Sequence, residues 1–116
     1  MFTRRAVFRI RADSSAEFTR IVEGQVLPPL RAQQGCRHED TFITPEFSEA
    51  VINSYWDTEE CATVYARTAY PEGLKALAGV VDGEPRVETF EISSSTFRQI
   101  TADSREALRT SQLCGG

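Results

Sequence analysis

The sequence predicts an α+β domain in which two helices cover one face of a four-stranded antiparallel sheet. Stretches of alternating polar and apolar residues predict the strands, and two stretches with apolar residues at helical spacing predict the helices. These segments follow one another in the order βαββαβ. Since each βαβ half takes a right-handed crossover, both helices come to lie on the same side of the sheet. The sequence therefore predicts the ferredoxin-like arrangement, with the opposite sheet face left bare.

Three strands are predicted from alternation and composition. Residues 2–12 alternate as a half-buried strand does, and Arg4 interrupts their apolar face, which consists of Phe2, Ala6, Phe8, Ile10 and Ala12. A second strand is predicted over residues 36–44. A third is predicted over residues 49–56, which are rich in β-branched and aromatic side chains. The Pro-Glu-Phe-Ser stretch at 45–48 predicts a hairpin turn between them.

The first helix is predicted to begin at a capping box and to continue through two prolines. Ser14 followed by Glu17 is the pattern of a capping box. Pro28 would normally end a helix, but Gly24 stands four residues earlier and reduces crowding on the turn that the proline disturbs. The apolar stripe continues past the prolines. We therefore predict a kinked helix that ends at about Gln33.

The second helical region and the fourth strand complete the pattern. Asp57 or Thr58 is predicted to cap the second helix, and Pro71 to break it before a short further helix over residues 72–80. The fourth strand is predicted over residues 85–97. Its apolar residues do not all fall on one face of a regular strand, which predicts a bulge or burial on both faces. These residues are Val87, Phe90 and Ile92.

Composition limits the classes of function. The 116 residues suit one domain, predicted over 1–97, followed by a tail over 98–116 in which 104–110 could form a short helix. The net charge of −4 argues against binding nucleic acid or an anionic membrane. No apolar stretch approaches the roughly 20 residues that span a bilayer. Arginines recur through the first eleven residues and leave no signal-peptide core, which predicts a cytoplasmic protein.

Two stretches of the sequence resemble a known family. They are Val-Leu-Pro-Pro-Leu-Arg-Ala-Gln-Gln-Gly-Cys at 26–36 and Ser-Tyr-Trp-Asp-Thr-Glu-Glu-Cys-Ala at 54–62. Together with the opening strand they resemble the antibiotic biosynthesis monooxygenase family of the dimeric α/β-barrel superfamily, over about residues 2–95. The resemblance implies a homodimer whose two sheets pack face to face. It also implies a pocket in each protomer between the sheet and the helices.

The resemblance directs attention to Trp56 at the end of the third strand, and the side-chain chemistry of other polar and aromatic residues adds further candidates. Trp56 matches a strand-end tryptophan that lines the pocket in active members of the family. The candidate catalytic residues are Trp56, Asn53, Tyr65 and His38. The candidate substrate pocket consists of Phe8, Ile10, Phe18, Val22, Trp56, Tyr65 and Tyr70. For each of these residues the alternative is a structural role: an aromatic core anchor, or a polar strand residue satisfied at a dimer interface.

No cofactor is predicted. Nucleotide-binding glycine motifs and metal-binding carboxylate clusters are missing from the sequence, and the single His38 and three cysteines do not make a zinc motif. Haem-degrading members of the resembled family need an axial histidine on the second helix, and residues 58–80 contain none.

Three functions remain open from the sequence. The first is a cofactor-independent monooxygenase acting on a small aromatic or polyketide-like substrate. The second is a non-catalytic dimeric barrel, either one that binds a small ligand or one of the stress-protein type. The third is a cofactor-free isomerase or cyclase, because the same fold carries all three.

Overall fold

The computed structural model describes residues 1–92. The sheet consists of β1 (Phe2–Arg9), β2 (Cys36–Ile43), β3 (Glu49–Trp56) and β4 (Arg86–Glu91). The helices are α1 (Ser15–Ile21), α2 (Leu27–Arg31), α3 (Glu59–Arg67) and α4 (Ala69–Leu77), with a π-helical segment (Val22–Val26) joining α1 to α2. The strand order is β2-β3-β1-β4, and every pairing is antiparallel. The predicted ferredoxin-like α+β fold is thereby confirmed.

The first helical segment passes through both prolines, as predicted, by means of a π-helical turn. Pro28 and Pro29 stand at the start of α2, where a missing backbone N–H costs least. The π-helical turn over Val22–Val26 stands directly ahead of them. The capping box does not form, because the Ser14 hydroxyl donates to the Ala12 carbonyl oxygen instead of capping the helix. The helix ends at Arg31, two residues before the predicted end.

The second helical region differs from the prediction at its proline. Thr58 caps α3, as predicted, by accepting a hydrogen bond from the Cys61 backbone N–H. Pro71 does not separate the two helices. They are separated at Thr68, and Pro71 lies in the first turn of α4, where its ring is tolerated because that turn has no helical acceptor for its N–H.

The bulge predicted for β4 lies in β2 instead. β4 pairs with β1 in unbroken register over Arg86–Glu91, and all six of its residues are exposed. In β2 the register shifts between Cys36 and His38. The remainder of the predicted fourth strand beyond residue 92, and the predicted tail, lie outside the described residues. Within residues 1–92 no helix is long and apolar enough to cross a membrane.

The β2 bulge is held by an ion pair to the residue that follows β3. The Asp57 carboxylate is fully buried, and the Arg37 guanidinium contacts both of its oxygens, with Nε at 2.8 Å from each. The Asp57 backbone N–H donates to the Gly35 carbonyl oxygen at 2.9 Å. Gly35 has a φ of 86°, a conformation that favours glycine. These contacts fix the start of β2 against the end of β3, directly beside Trp56.

Candidate functional site

The two faces of the sheet have different chemistry. Directly paired residues of antiparallel strands share a face, so β1 presents Phe2, Arg4, Ala6 and Phe8 to the helices, opposite Trp56, Ser54, Ile52 and Ala50 of β3. These side chains form the core together with the helices, apart from two polar members, Arg4 and Ser54. We call the other side the open face. It carries Asn53 and Tyr55 of β3, with His38, Asp40 and Phe42 of β2.

Arg4 lies among three aromatic side chains between the sheet and the α3–α4 junction. Its guanidinium carbon lies 3.9 Å from the centroid of the Tyr70 ring and 5.5 Å from that of Tyr65. The Tyr65 ring lies 5.4 Å from the Trp56 ring, at an angle of 31°. It lies 5.8 Å from the Tyr70 ring. We refer to Arg4, Trp56, Tyr65 and Tyr70 as the Arg4 cluster.

The positive charge of Arg4 is buried and has no anionic partner within the described part of the chain. The residue is only 7% exposed. The ion pairs formed among residues 1–92 all use other cations. Burying an ion costs several kcal/mol after relaxation. A cation–π contact returns only about 0.5–2 kcal/mol. Among residues 1–92 the Arg4 guanidinium thus has two aromatic rings beside it but no carboxylate, and an anion is the partner that would complete its environment.

The two tyrosines of the cluster are hydrogen-bond donors and not bases at neutral pH. Burial raises the pKa of Tyr65 to about 12, although the Arg4 cation acts in the opposite direction. Burial likewise raises the pKa of Tyr70, and both the charge and the nearby N–H donors of Arg4 act in the opposite direction. The Tyr70 hydroxyl oxygen is itself buried, and no residue among 1–92 forms a hydrogen bond with it. The cluster thus combines a cation that lacks a carboxylate partner among residues 1–92 with a hydroxyl that lacks a hydrogen-bond partner there.

Trp56 contributes a ring surface but not its polar atom. The side chain is fully buried, and its Nε1–H donates to the Ser54 Oγ at 2.9 Å. The Ser54 hydroxyl in turn donates to the Arg4 carbonyl oxygen at 3.4 Å. The indole N–H already has an acceptor, so it is not available to a ligand. The role of Trp56 is to stack against the Tyr65 ring.

Two of the four candidate catalytic residues lie on the open face. Asn53 accepts a hydrogen bond from Arg5 Nε at 3.4 Å, on the side of the sheet away from Trp56. His38 Nε2 lies 2.8 Å from an Asp40 carboxylate oxygen. The Tyr55 hydroxyl donates to the other Asp40 oxygen at 3.1 Å. Only Trp56 and Tyr65 of the predicted set come together, so the four residues cannot act in one site within one protomer.

The candidate pocket residues are likewise divided along the core. Trp56, Tyr65 and Tyr70 lie in the Arg4 cluster, whereas Phe8 packs on Phe18 with ring centroids 5.9 Å apart. Ile10 bridges to Val81 beyond the end of β1. A separate cavity of about 170 Å³ opens between the first helical segment and β2, lined by Phe18, Val22, Leu27, Thr41 and Ile43 among others. Its lining is largely apolar, so it offers little to orient a polar ligand.

Residues that could hold a metal do not converge in the described part of the chain. No group of three His, Cys, Asp or Glu side chains comes together among residues 1–92. Burial raises the pKa of the Cys36 thiol to about 11, so this cysteine stays protonated at neutral pH.

The cluster residue missing from the sequence-based site is Arg4. Its signal is present, because an arginine on the apolar face of a predicted strand is a charge aimed at the core. The position of Arg4 on an otherwise apolar strand face does not by itself reveal that the charge lacks a carboxylate partner among residues 1–92. That depends on the packing of α3 and α4, about sixty residues further along the chain.

The fold is shared with solved structures of antibiotic biosynthesis monooxygenases. A candidate enzyme of this kind from Bordetella bronchiseptica aligns with a TM-score of 0.69 at 18% identity, covering 80% of this chain and 97% of that chain. SnoaB, a cofactor-independent oxygenase from Streptomyces nogalater, aligns with a TM-score of 0.68 at 13% identity, over 82% and 95%. The monooxygenase from the gene ActVA-Orf6 of Streptomyces coelicolor, in complex with Nanaomycin D, aligns with a TM-score of 0.69 at 16% identity, over 81% and 88%.

These similarities establish the fold, as the sequence resemblance predicted. They do not extend to close sequence relatedness, because the identities lie between 13% and 18%. The sequence matches no protein-family model and no curated protein.

Proposed function

We propose that this protein is a cofactor-independent monooxygenase whose small aromatic substrate binds at the Arg4 cluster. The observation that carries the proposal is the buried, unpaired Arg4 cation beside stacked aromatic rings. The fold supports it, since SnoaB, a cofactor-independent oxygenase, shares that fold. Such an enzyme needs a site that binds a flat ring and favours its ionised form, and the aromatic rings and the cation of the cluster are the groups we assign to these two tasks.

Oxygen chemistry without a cofactor depends on an electron-rich substrate anion. A carbanion or phenolate can pass one electron to O₂, after which the two radicals join in a C–O bond. The peroxide takes up a proton, and loss of water from the hydroperoxide at a CH₂ carbon leaves a carbonyl. One oxygen atom enters the product and the other leaves as water. In this proposal Arg4 stabilises the substrate anion, and the Tyr65 and Tyr70 hydroxyls donate hydrogen bonds to substrate oxygens.

The test is oxygen uptake with anthrone and hydroquinone substrates in metal-free, flavin-free buffer. We expect turnover above the buffer rate, and a loss of roughly a hundredfold in Arg4→Met, the size of effect found for removing one charge-stabilising donor. The control is Arg20→Met, because Arg20 is exposed on α1 and pairs there with Glu17, one turn away. Absence of turnover over a broad substrate panel, or full activity in Arg4→Met, would reject the proposal.

We also propose that the active form is a homodimer formed through the open face. Two phenylalanines stand exposed there, Phe42 at 55% and Phe90 at 48%. A sheet face with exposed aromatic residues is suited to cover by a second copy.

The dimer proposal predicts a light-scattering mass twice the 13.0 kDa of one chain. The double variant Phe42→Ser/Phe90→Ser should shift the protein towards monomer. Phe47→Ser is the matched control, because Phe47 is 61% exposed but lies in the hairpin turn. A stable monomer of the native protein at micromolar concentration would contradict the proposal.

A second candidate is a non-catalytic ligand-binding protein. It is favoured by the absence of a base in the cluster, whose tyrosines keep their protons at neutral pH. Retained ligand in native mass spectrometry without oxygen uptake would favour this candidate. An isomerase or cyclase would instead keep converting substrate when oxygen is excluded.

A further inference from the structure

We propose that the ligand of the Arg4 cluster is a planar aromatic acid, which binds with an ionised carboxylate or phenolate oxygen on the Arg4 guanidinium. The inference deepens the proposed function, since it names the substrate class of the same site. It concerns binding alone, and it can hold even if no oxygen chemistry follows.

The first step is the unmatched charge. Arg4 is 7% exposed, and none of the carboxylates among residues 1–92 pairs with it. The contrast with Asp57, the other buried charged residue among 1–92, is direct, because Asp57 has its bidentate partner in Arg37. Arg4 therefore lacks the one group that would complete its environment, an anion with planar oxygen geometry.

The second step is the unmatched hydroxyl. The Tyr70 oxygen is buried without a hydrogen-bond partner among residues 1–92, and its ring covers the guanidinium at 3.9 Å. Leaving a buried donor unpaired is unfavourable, so both members of the stacked pair gain from one acceptor. An ionised oxygen can accept hydrogen bonds from both. A neutral hydrocarbon ring would leave both unsatisfied.

The third step is the absence of a base in the cluster. Among residues 1–92 the aromatic rings that contact the Arg4 guanidinium are those of Tyr65 and Tyr70, and both tyrosines hold their protons at neutral pH. None of them can take a proton from a weakly acidic ligand. A ligand that is already ionised at neutral pH needs no base in the cluster, which favours acids over neutral aromatic compounds of the same shape.

Tyr70 gives the ligand a route to Arg4. It is half-buried and lies in the first turn of α4, directly after the break at Thr68. Its hydroxyl forms no hydrogen bond to the described residues that would hold the ring over Arg4. A ligand whose ionised oxygen reaches the N–H edge of the guanidinium adds a charge interaction, while the Tyr70 ring keeps its cation–π contact with the guanidinium face.

The experiment compares 2-naphthoate with its neutral amide, 2-naphthamide, by calorimetric titration of the full chain at neutral pH. The two probes have almost the same shape and neither is an oxygenase substrate. We expect the acid to bind about ten- to a hundredfold more tightly than the amide, as charge-assisted hydrogen bonds predict. Arg4→Met should remove this preference, Arg4→Lys should retain part of it, and Arg20→Met should leave it unchanged. Thermal unfolding of each variant confirms that it is folded.

The outcomes separate this inference from the proposed function. Acid preference that depends on Arg4, without oxygen uptake on any substrate, supports the anion site and rejects the oxygenase. Equal affinities for acid and amide, no binding of either, or a preference that persists in Arg4→Met would overturn the anion site. Oxygen uptake with neutral anthrones would then still support the oxygenase.

Discussion

Arg37→Met is expected to lower the free energy of unfolding by about 3 kcal/mol, the largest stability loss we predict for a single side chain. The Asp57 carboxylate is fully buried, and both of its oxygens contact the Arg37 guanidinium. Removing the cation leaves a buried anion without its counter-charge. The same change loosens the start of β2, where the strand register shifts.

Urea unfolding at neutral pH and fixed protein concentration measures this effect. A double variant, Arg37→Met/Asp57→Leu, should recover most of the loss, because two apolar residues in place of a buried ion pair are close to neutral. Arg20→Met is the control, since it removes an arginine from an exposed pair and should change stability little. If Arg37→Met behaved like Arg20→Met, the ion pair would not anchor the bulge.

Much of the fold follows from local patterns in the sequence. The prediction for β3 was correct at both ends, Glu49 and Trp56, because a segment with four β-branched or aromatic residues among eight is bounded by a turn and a helix cap. Helix ends were predicted less well where proline decides them. Pro71 has the same sequence signature whether it ends one helix or begins the next, and the packing of both helices on the sheet determines which occurs.

The sheet face of a candidate site residue could be predicted only where the alternation of a regular strand determines it. Asn53 and Trp56 are three residues apart on a regular strand, so they had to face opposite sides of the sheet, and the structure places them so. His38 could not be assigned a face from the sequence, because the bulge before it inverts the alternation of β2. The stacking of Tyr65 and Tyr70 on Arg4 joins residues about sixty positions apart, which no local pattern encodes.

Arg4→Met is expected to act in the opposite direction on stability, although it is the same chemical change as Arg37→Met. Arg37 compensates a buried charge, whereas Arg4 is itself a buried charge without an anion among residues 1–92. Methionine has a similar length, avoids the cost of burying an ion, and can still contact the Tyr65 and Tyr70 rings through its sulfur. We expect a gain of about 1 kcal/mol in the unliganded protein, after subtraction of the lost cation–π contacts.

Thermal unfolding without ligand measures this gain, which corresponds to a rise in Tm of roughly 4–8 °C in a domain of this size. The same variant should lose its preference for 2-naphthoate and most of its oxygen uptake. Stability and function then change in opposite directions at one residue, which is expected where a protein keeps an unfavourable charge for its ligand. A loss of more than about 2 kcal/mol in Arg4→Met would mean that the protein itself compensates the Arg4 charge, and an anionic ligand would no longer be needed to explain it.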